Sequence, residues 1–204
     1  MARRNEPVPA FTIAVGIVIV VFGVIFYVGL SYYSKVTFSG LGEIGRSSAE
    51  FSNMMTTTVA LLIVLMGCVD ICIGIYRGKK ERAVREKIWG LTSEGGVSPR
   101  EFLDACDVLR ARGDFTGVYV IHNKTKDMYY VGQSTRVVGR LIQHLTGHGN
   151  GDVYADYKYD DDFELNVVSL RESGYDSLDA LERDTIAAYD AYDKGYNRTR
   201  GNRN

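Results

Sequence analysis

Arg140 and His144 stand four residues apart in a segment with helical character, so both project from one side of that helix, one turn from each other. A guanidinium presents a fork of N–H donors matched to phosphate oxygens, and the imidazole beside it can donate or accept a proton. Glu182, in a later helix, is a hard oxygen ligand suited to one Mg2+, an ion that keeps several waters and bridges to a substrate phosphate. Tyr119 and Tyr130 belong to two short strands and project toward the same place. These types suit attack on a phosphate ester, where charge growing on the phosphorus oxygens must be met by cations and a nucleophile must be supplied. His148, in a glycine-rich loop at 147–151, is a further candidate to approach that place. Each residue also has an ordinary alternative. With fourteen tyrosines in the chain, either phenol alone fits a strand aromatic, Arg140, His144 and Glu182 fit solvated helix faces, and Asn197 fits a turn.

The elements that must position these side chains follow from local pattern. Residues 117–122 (GVYVIH) and 128–132 (MYYVG) are β-branched and aromatic around a polar turn at 123–127, which predicts a β-hairpin. A helix is expected over 136–145, a strand over 163–170 and a helix over 177–192. Upstream, Glu94, Gly95 and Gly96 mark a break, and Ser98, Pro99 and Glu101 occupy the N-cap, first and third positions of a helix. That helix is expected to run to about Arg112 and stop at Gly113. Its apolar residues Phe102, Leu103, Cys106 and Leu109 keep helical spacing, so it packs on the domain that follows or on a partner.

The first third of the chain has another character. Residues 11–33 carry no charge and are long enough to span a hydrocarbon core of roughly 30 Å; with Arg3 and Arg4 ahead, a signal peptide is the rival reading, but its apolar region is usually only about 7–15 residues. A second span is expected over 56–76. Arg77, Lys79, Lys80, Arg82, Arg85 and Lys87 follow it and outnumber Glu81 and Glu86, whereas residues 34–55 between the spans hold only Lys35 and Arg46 against Glu43 and Glu50. Basic flanks stay in the cytoplasm, so residues 1–10 and everything after 76 are expected there, with 34–55 on the far side.

Gly16 and Gly23, and Ala60, Gly67 and Gly74, repeat every seven residues and give each span a small-residue face for packing as a hairpin or for homo-oligomerisation. Asp70 lies within two turns of the basic flank, which fits a snorkelling or locally paired carboxylate better than a transport site. Cys68 and Cys72 share a helix face in an apolar run and Cys106 makes an odd third, so no disulfide framework is implied. Gly40, Gly42 and Gly45 match a G-x-G-x-x-G pattern, but no strand–helix unit surrounds them and a loop is expected.

The pair Gly117-Val118-Tyr119 and Tyr130-Val131-Gly132 resembles the two motifs that name the GIY-YIG superfamily of homing endonucleases, restriction enzymes and the repair incision nuclease. The resemblance continues in order through Arg140, His144, Glu182 and Asn197, so it covers residues 117–197. It implies an α+β domain at 113–204, a small mixed sheet flanked by helices, after a two-helix transmembrane hairpin and a basic linker and helix at 77–112. It further implies that Tyr119 is the general base or water-orienting group, that Tyr130 assists it and that Glu182 holds Mg2+ or Mn2+. Arg140 and His144 bind the phosphate on this reading, and Asn197 braces the site.

Charge cuts against a simple nucleic-acid binder. From 113 to 204 eleven Lys and Arg face fifteen Asp and Glu, and Asp160, Asp161 and Asp162 form an acidic run. Arg198, Arg200 and Arg203 follow Asn197 and are the candidates to touch DNA, while the stretch at 77–88 suits anionic lipid. Two readings follow. One is a membrane-tethered endonuclease of DNA whose tether supplies local concentration; the other is a catalytically weak scaffold serving as a membrane-anchored binding module. A small-molecule transporter finds too little support in two helices with one carboxylate.

Overall fold

The computed structural model describes residues 8–40, 42–92, 95–111 and 113–202. Arg3, Arg4, Glu94, Arg112 and Arg203, named above, lie outside the described residues. The chain divides into two compact units, residues 1–81 and 82–204.

The first unit is built on α1 (Val8–Phe38) and the first part of α2 (Gly42–Thr92). Both helices are long and apolar enough to cross a membrane by length and composition. Their large apolar side chains point outward, Val18 66% and Met66 65% exposed, unlike the core helices of a soluble domain. The small-residue faces meet each other. A Cβ on Gly16 would come within 2.7 Å of the Gly67 carbonyl oxygen, and one on Gly67 within 2.7 Å of that of Gly16. Hydrogen in place of a side chain is what lets these backbones touch. Residues 34–55, expected as a loop, are almost wholly helical, because no proline interrupts them and a nucleated helix extends at low cost. The chain reverses around Ser39 and Gly40, with Gly42 at φ +59°, and Gly45 sits inside α2, so the three glycines form no phosphate loop.

The second unit begins with the C-terminal end of α2. Ile88 is fully buried with Val118, Val120, Val131 and Leu181, and the Thr92 and Tyr189 hydroxyls share a 2.5 Å hydrogen bond. Arg85 pairs with Asp190 at 3.3 Å and the Lys87 ammonium lies 3.9 Å from the Tyr175 ring centre, so two cations of the basic flank are engaged inside the domain. Then comes α3 (Pro99–Ala111), opened by a reciprocal capping box. The Glu101 carboxylate accepts from the Ser98 N–H at 2.9 Å, and the Ser98 hydroxyl accepts from the Glu101 N–H at 3.2 Å.

The sheet has strands β1 (Gly117–Asn123), β2 (Met128–Ser134) and β3 (Phe163–Ser169) in the order β2-β1-β3. It is antiparallel throughout, not mixed. Strands β1 and β2 form a tight hairpin, and the chain returns through α4 (Val137–Leu145) and α5 (Gly151–Lys158) to lay β3 antiparallel on the other side of β1. Alternation along the strands makes two cores. Tyr119, Ile121 and Leu165 face α3, α4 and α5, through Phe102, Leu141 and Val153, while Val118, Val120, Val131 and Val168 face α7 (Leu178–Ala188) and the end of α2. The short helix α6 (Leu170–Ser173) joins β3 to α7, whose N-cap is Ser177. Helix α7 stops well before Tyr192, where the chain turns through Asp190 at φ +50°.

Candidate active site

Tyr119 leaves the central strand into the α4 side of the sheet and is almost fully buried. Opposite it in register stands Gly132, and a Cβ there would collide with the Tyr119 hydroxyl. The motif glycine is thus the space into which the phenol lies. Gly117 has a similar reason, since a Cβ would strike the Val168 carbonyl oxygen of β3.

Helix α4 brings Arg140 and His144 to the same phenol. The Tyr119 hydroxyl is 3.0 Å from His144 Nε2, and the rings of Tyr119, Tyr130 and His144 form a triangle with centroid separations of 6.2, 5.4 and 5.0 Å. His144 Nδ1 accepts the Asn150 backbone N–H at 2.9 Å, which fixes the neutral tautomer with its proton on Nε2. His144 therefore donates to the Tyr119 oxygen. Burial, joined by the Arg140 charge, lowers its pKa from 6.5 to about 4. Helix α4 is set in place by Asp114, whose carboxylate accepts the Val138 and Gly139 N–H groups at 2.8 and 2.9 Å from a point just before β1.

The phenols are poor acids in this setting. Burial pushes Tyr119 well above its ordinary 10, with Tyr130 adding to the rise and Arg140 opposing it. Tyr130 is raised by burial too, against its hydrogen bond with Tyr119 and the Arg140 charge, and with a contribution from the Glu182 carboxylate. Arg140 itself donates to Gln143 at 2.7 Å on an accessible helix face.

Glu182 lies on α7, across the sheet from His144. Its half-buried carboxylate is raised by burial, opposed by the Asn202 backbone N–H, and raised again by Asp179 one turn earlier. Gln133 donates to Glu182 at 3.2 Å and to Asp179 at 2.5 Å. A carboxylate kept in surroundings that disfavour its charge suits a hard cation. Among the described residues no three His, Cys, Asp or Glu gather as a metal cage.

Asn197 reaches no reacting group. Its side chain clamps Val131 on the outer edge of β2, accepting the backbone N–H at 2.8 Å and donating to the C=O at 2.7 Å. Arg198 and Arg200 are exposed and paired with Asp152 at 3.0 Å and Asp193 at 3.2 Å. His148 is exposed, with Nδ1 3.3 Å from the Thr146 hydroxyl. Asp114, Gln133, Asn150 and Asp179 were missed in the sequence; only Asp179, one helical turn before Glu182, left a readable signal.

The buried imidazole sets an acid sensitivity. With its folded pKa near 4 and its unfolded value near 6.5, the unfolded chain binds the extra proton between these limits. Stability from this group is complete above about pH 6.5 and falls by about 3 kcal/mol as pH drops to 4. Urea unfolding from pH 7 to 4 measures it, and a His144→Gln variant should lose most of that slope.

A family model described as the GIY-YIG catalytic domain matches residues 115–197. No curated protein and no solved structure matches the chain. The match spans the hairpin with both phenols, Arg140 and His144 on α4, Glu182 on α7 and the Asn197 clamp, and over these residues the chain is similar to the GIY-YIG catalytic domain.

Proposed function

We propose that the protein is a membrane-tethered, divalent-metal-dependent endonuclease that hydrolyses phosphodiester bonds of DNA. The observation that carries this reading is the buried Tyr119–His144 hydrogen bond beside the accessible Arg140 guanidinium on the same helix. Arg140 meets the scissile phosphate with a charge-assisted fork. His144, held neutral, keeps the Tyr119 oxygen in place through its Nε2 proton. Tyr119, protonated at neutral pH because burial raises it, orients the attacking water, and Tyr130 borders the same space. Glu182 would hold the ion, Mg2+ or Mn2+, which supplies Lewis acidity at the phosphate when bound.

Two long helices with outward apolar side chains support the tether, a lipid bilayer being the solvent they fit. The basic flank after 76 supports a cytoplasmic nuclease domain, with Arg77, Lys79 and Lys80 against anionic lipid. The glycine faces support hairpin packing ahead of homo-oligomerisation, because each already holds the other within one chain.

One observation favours the alternative of a weak binding scaffold: Arg198 and Arg200, the arginines nearest to Asn197 in sequence, are each paired with an aspartate. Full-length protein in detergent, incubated with plasmid and branched DNA and Mg2+, decides between them. Nicking that stops with chelator and with Glu182→Ala supports the enzyme. A parent protein that cuts neither DNA nor RNA with any divalent ion leaves the scaffold.

A further inference from the structure

We propose that Gln133 is a positioning residue that orients Glu182 for its cation, an inference that rests on the metal-dependent reading above. Asp179 and Glu182 lie one helical turn apart on α7, where two carboxylates repel each other. Gln133 Nε2 reaches Glu182 Oε2 at 3.2 Å and Asp179 Oδ1 at 2.5 Å, so a single neutral amide donates to both. The amide oxygen in that place would face two anions, which fixes the orientation of the group. Its effect is to hold the Glu182 carboxylate in one orientation through Oε2, together with the backbone N–H groups of Asn202 and Gln133. The tail reinforces the arrangement, since Asn202 Nδ2 also donates to Asp179 Oδ1, at 3.2 Å.

The place of Gln133 in the strand gives this contact its consequence. It follows Gly132, whose bare face receives the Tyr119 hydroxyl, and it stands three residues after Tyr130 on β2. Along that strand Tyr130 serves the α4 face and Gln133 the α7 face. The amide therefore ties the rotamer of the carboxylate to the strand that carries the phenol, so the two halves of the site keep one spacing. Ligands held by such outer hydrogen bonds typically lose about 10–100-fold in metal affinity when the partner is removed.

The test uses Mn2+ alone, with full-length protein in detergent and no nucleic acid, reading free Mn2+ by its electron paramagnetic resonance signal. Gln133→Met keeps the length and apolar stem but has no donor; it should weaken Mn2+ binding about 10-fold or more with its thermal midpoint close to the parent's. Gln133→Glu places a third carboxylate beside the pair, so its metal-free midpoint should drop and rise on adding Mn2+ by more than the parent's does. Parent-like affinity in Gln133→Met, or a midpoint in Gln133→Glu that ignores Mn2+, overturns the positioning role while leaving Glu182 as ligand. Mn2+ binding that survives Glu182→Ala overturns the metal reading itself, a separate result.

Discussion

Tyr119→Phe is expected to lower the rate of DNA nicking by about 10²–10⁴-fold, the range for losing a positioned proton-handling group. The hydroxyl removed is the one that His144 Nε2 holds at 3.0 Å, and no other oxygen in the triangle of rings stands in the same relation to the imidazole. The imidazole cannot adapt by changing tautomer, because a proton moved to Nδ1 would face the Asn150 N–H that Nδ1 now accepts. The variant therefore leaves a buried N–H without an acceptor and should also lose about 1–3 kcal/mol of stability. Single-turnover nicking at saturating Mg2+, beside urea unfolding of the same preparations, separates the two losses. A variant that is less stable yet nicks at the parent rate would show that the hydroxyl serves only the fold. Tyr130→Phe is the internal comparison, since the Tyr130 hydroxyl does not take the His144 proton.

Asn197→Ala is expected to cost about 2–6 kcal/mol of folding stability, roughly the sum for leaving one N–H and one C=O without partners. Strand β2 is an edge strand, and at Val131 the Asn197 amide replaces the missing neighbour by pairing with both backbone groups. Asn197→Asp should be about as damaging, because a carboxylate accepts from the N–H but repels the carbonyl that the amide donates to. The prediction is read in urea midpoints, with activity measured at the lowest denaturant. A fully stable Asn197→Ala that has lost nicking would move Asn197 from the scaffold to the chemistry. The neighbouring contacts point to the scaffold. The Tyr196 hydroxyl joins Asn123 at 2.7 Å and Asp156 at 2.6 Å, and the Tyr196 N–H pairs with the Tyr129 carbonyl at 2.9 Å, so this segment is pinned on both sides.

Several parts of this arrangement could be read before any fold was known. The hairpin followed from β-branched and aromatic runs around a polar turn, and the capping box at Ser98 and Glu101 is a local signal that formed as its spacing implied. Arg140 and His144 had to share a helix side, because four residues is close to one turn. Other parts gave no such sign. Helix α5 sits directly after the glycine-rich loop and buries little beyond Val153, so its periodicity is weak. The loop expected between the two apolar segments is helical, since nothing in 42–55 stops a helix already under way.

By itself, the sequence determined which residue types were available, their order, and their placement on strands and helices. Those are consequences of spacing, and spacing is written in the chain. Only the tertiary structure decided that Tyr119 lies over Gly132, that the Asn150 N–H fixes the His144 tautomer, and that Gln133 joins Asp179 to Glu182. It also decided that Asp114 caps the helix bearing Arg140 and that Ile88 belongs to the core of the second unit. Each of these depends on how two cores pack on opposite faces of one sheet, and a contact between distant segments leaves no periodic trace in either of them.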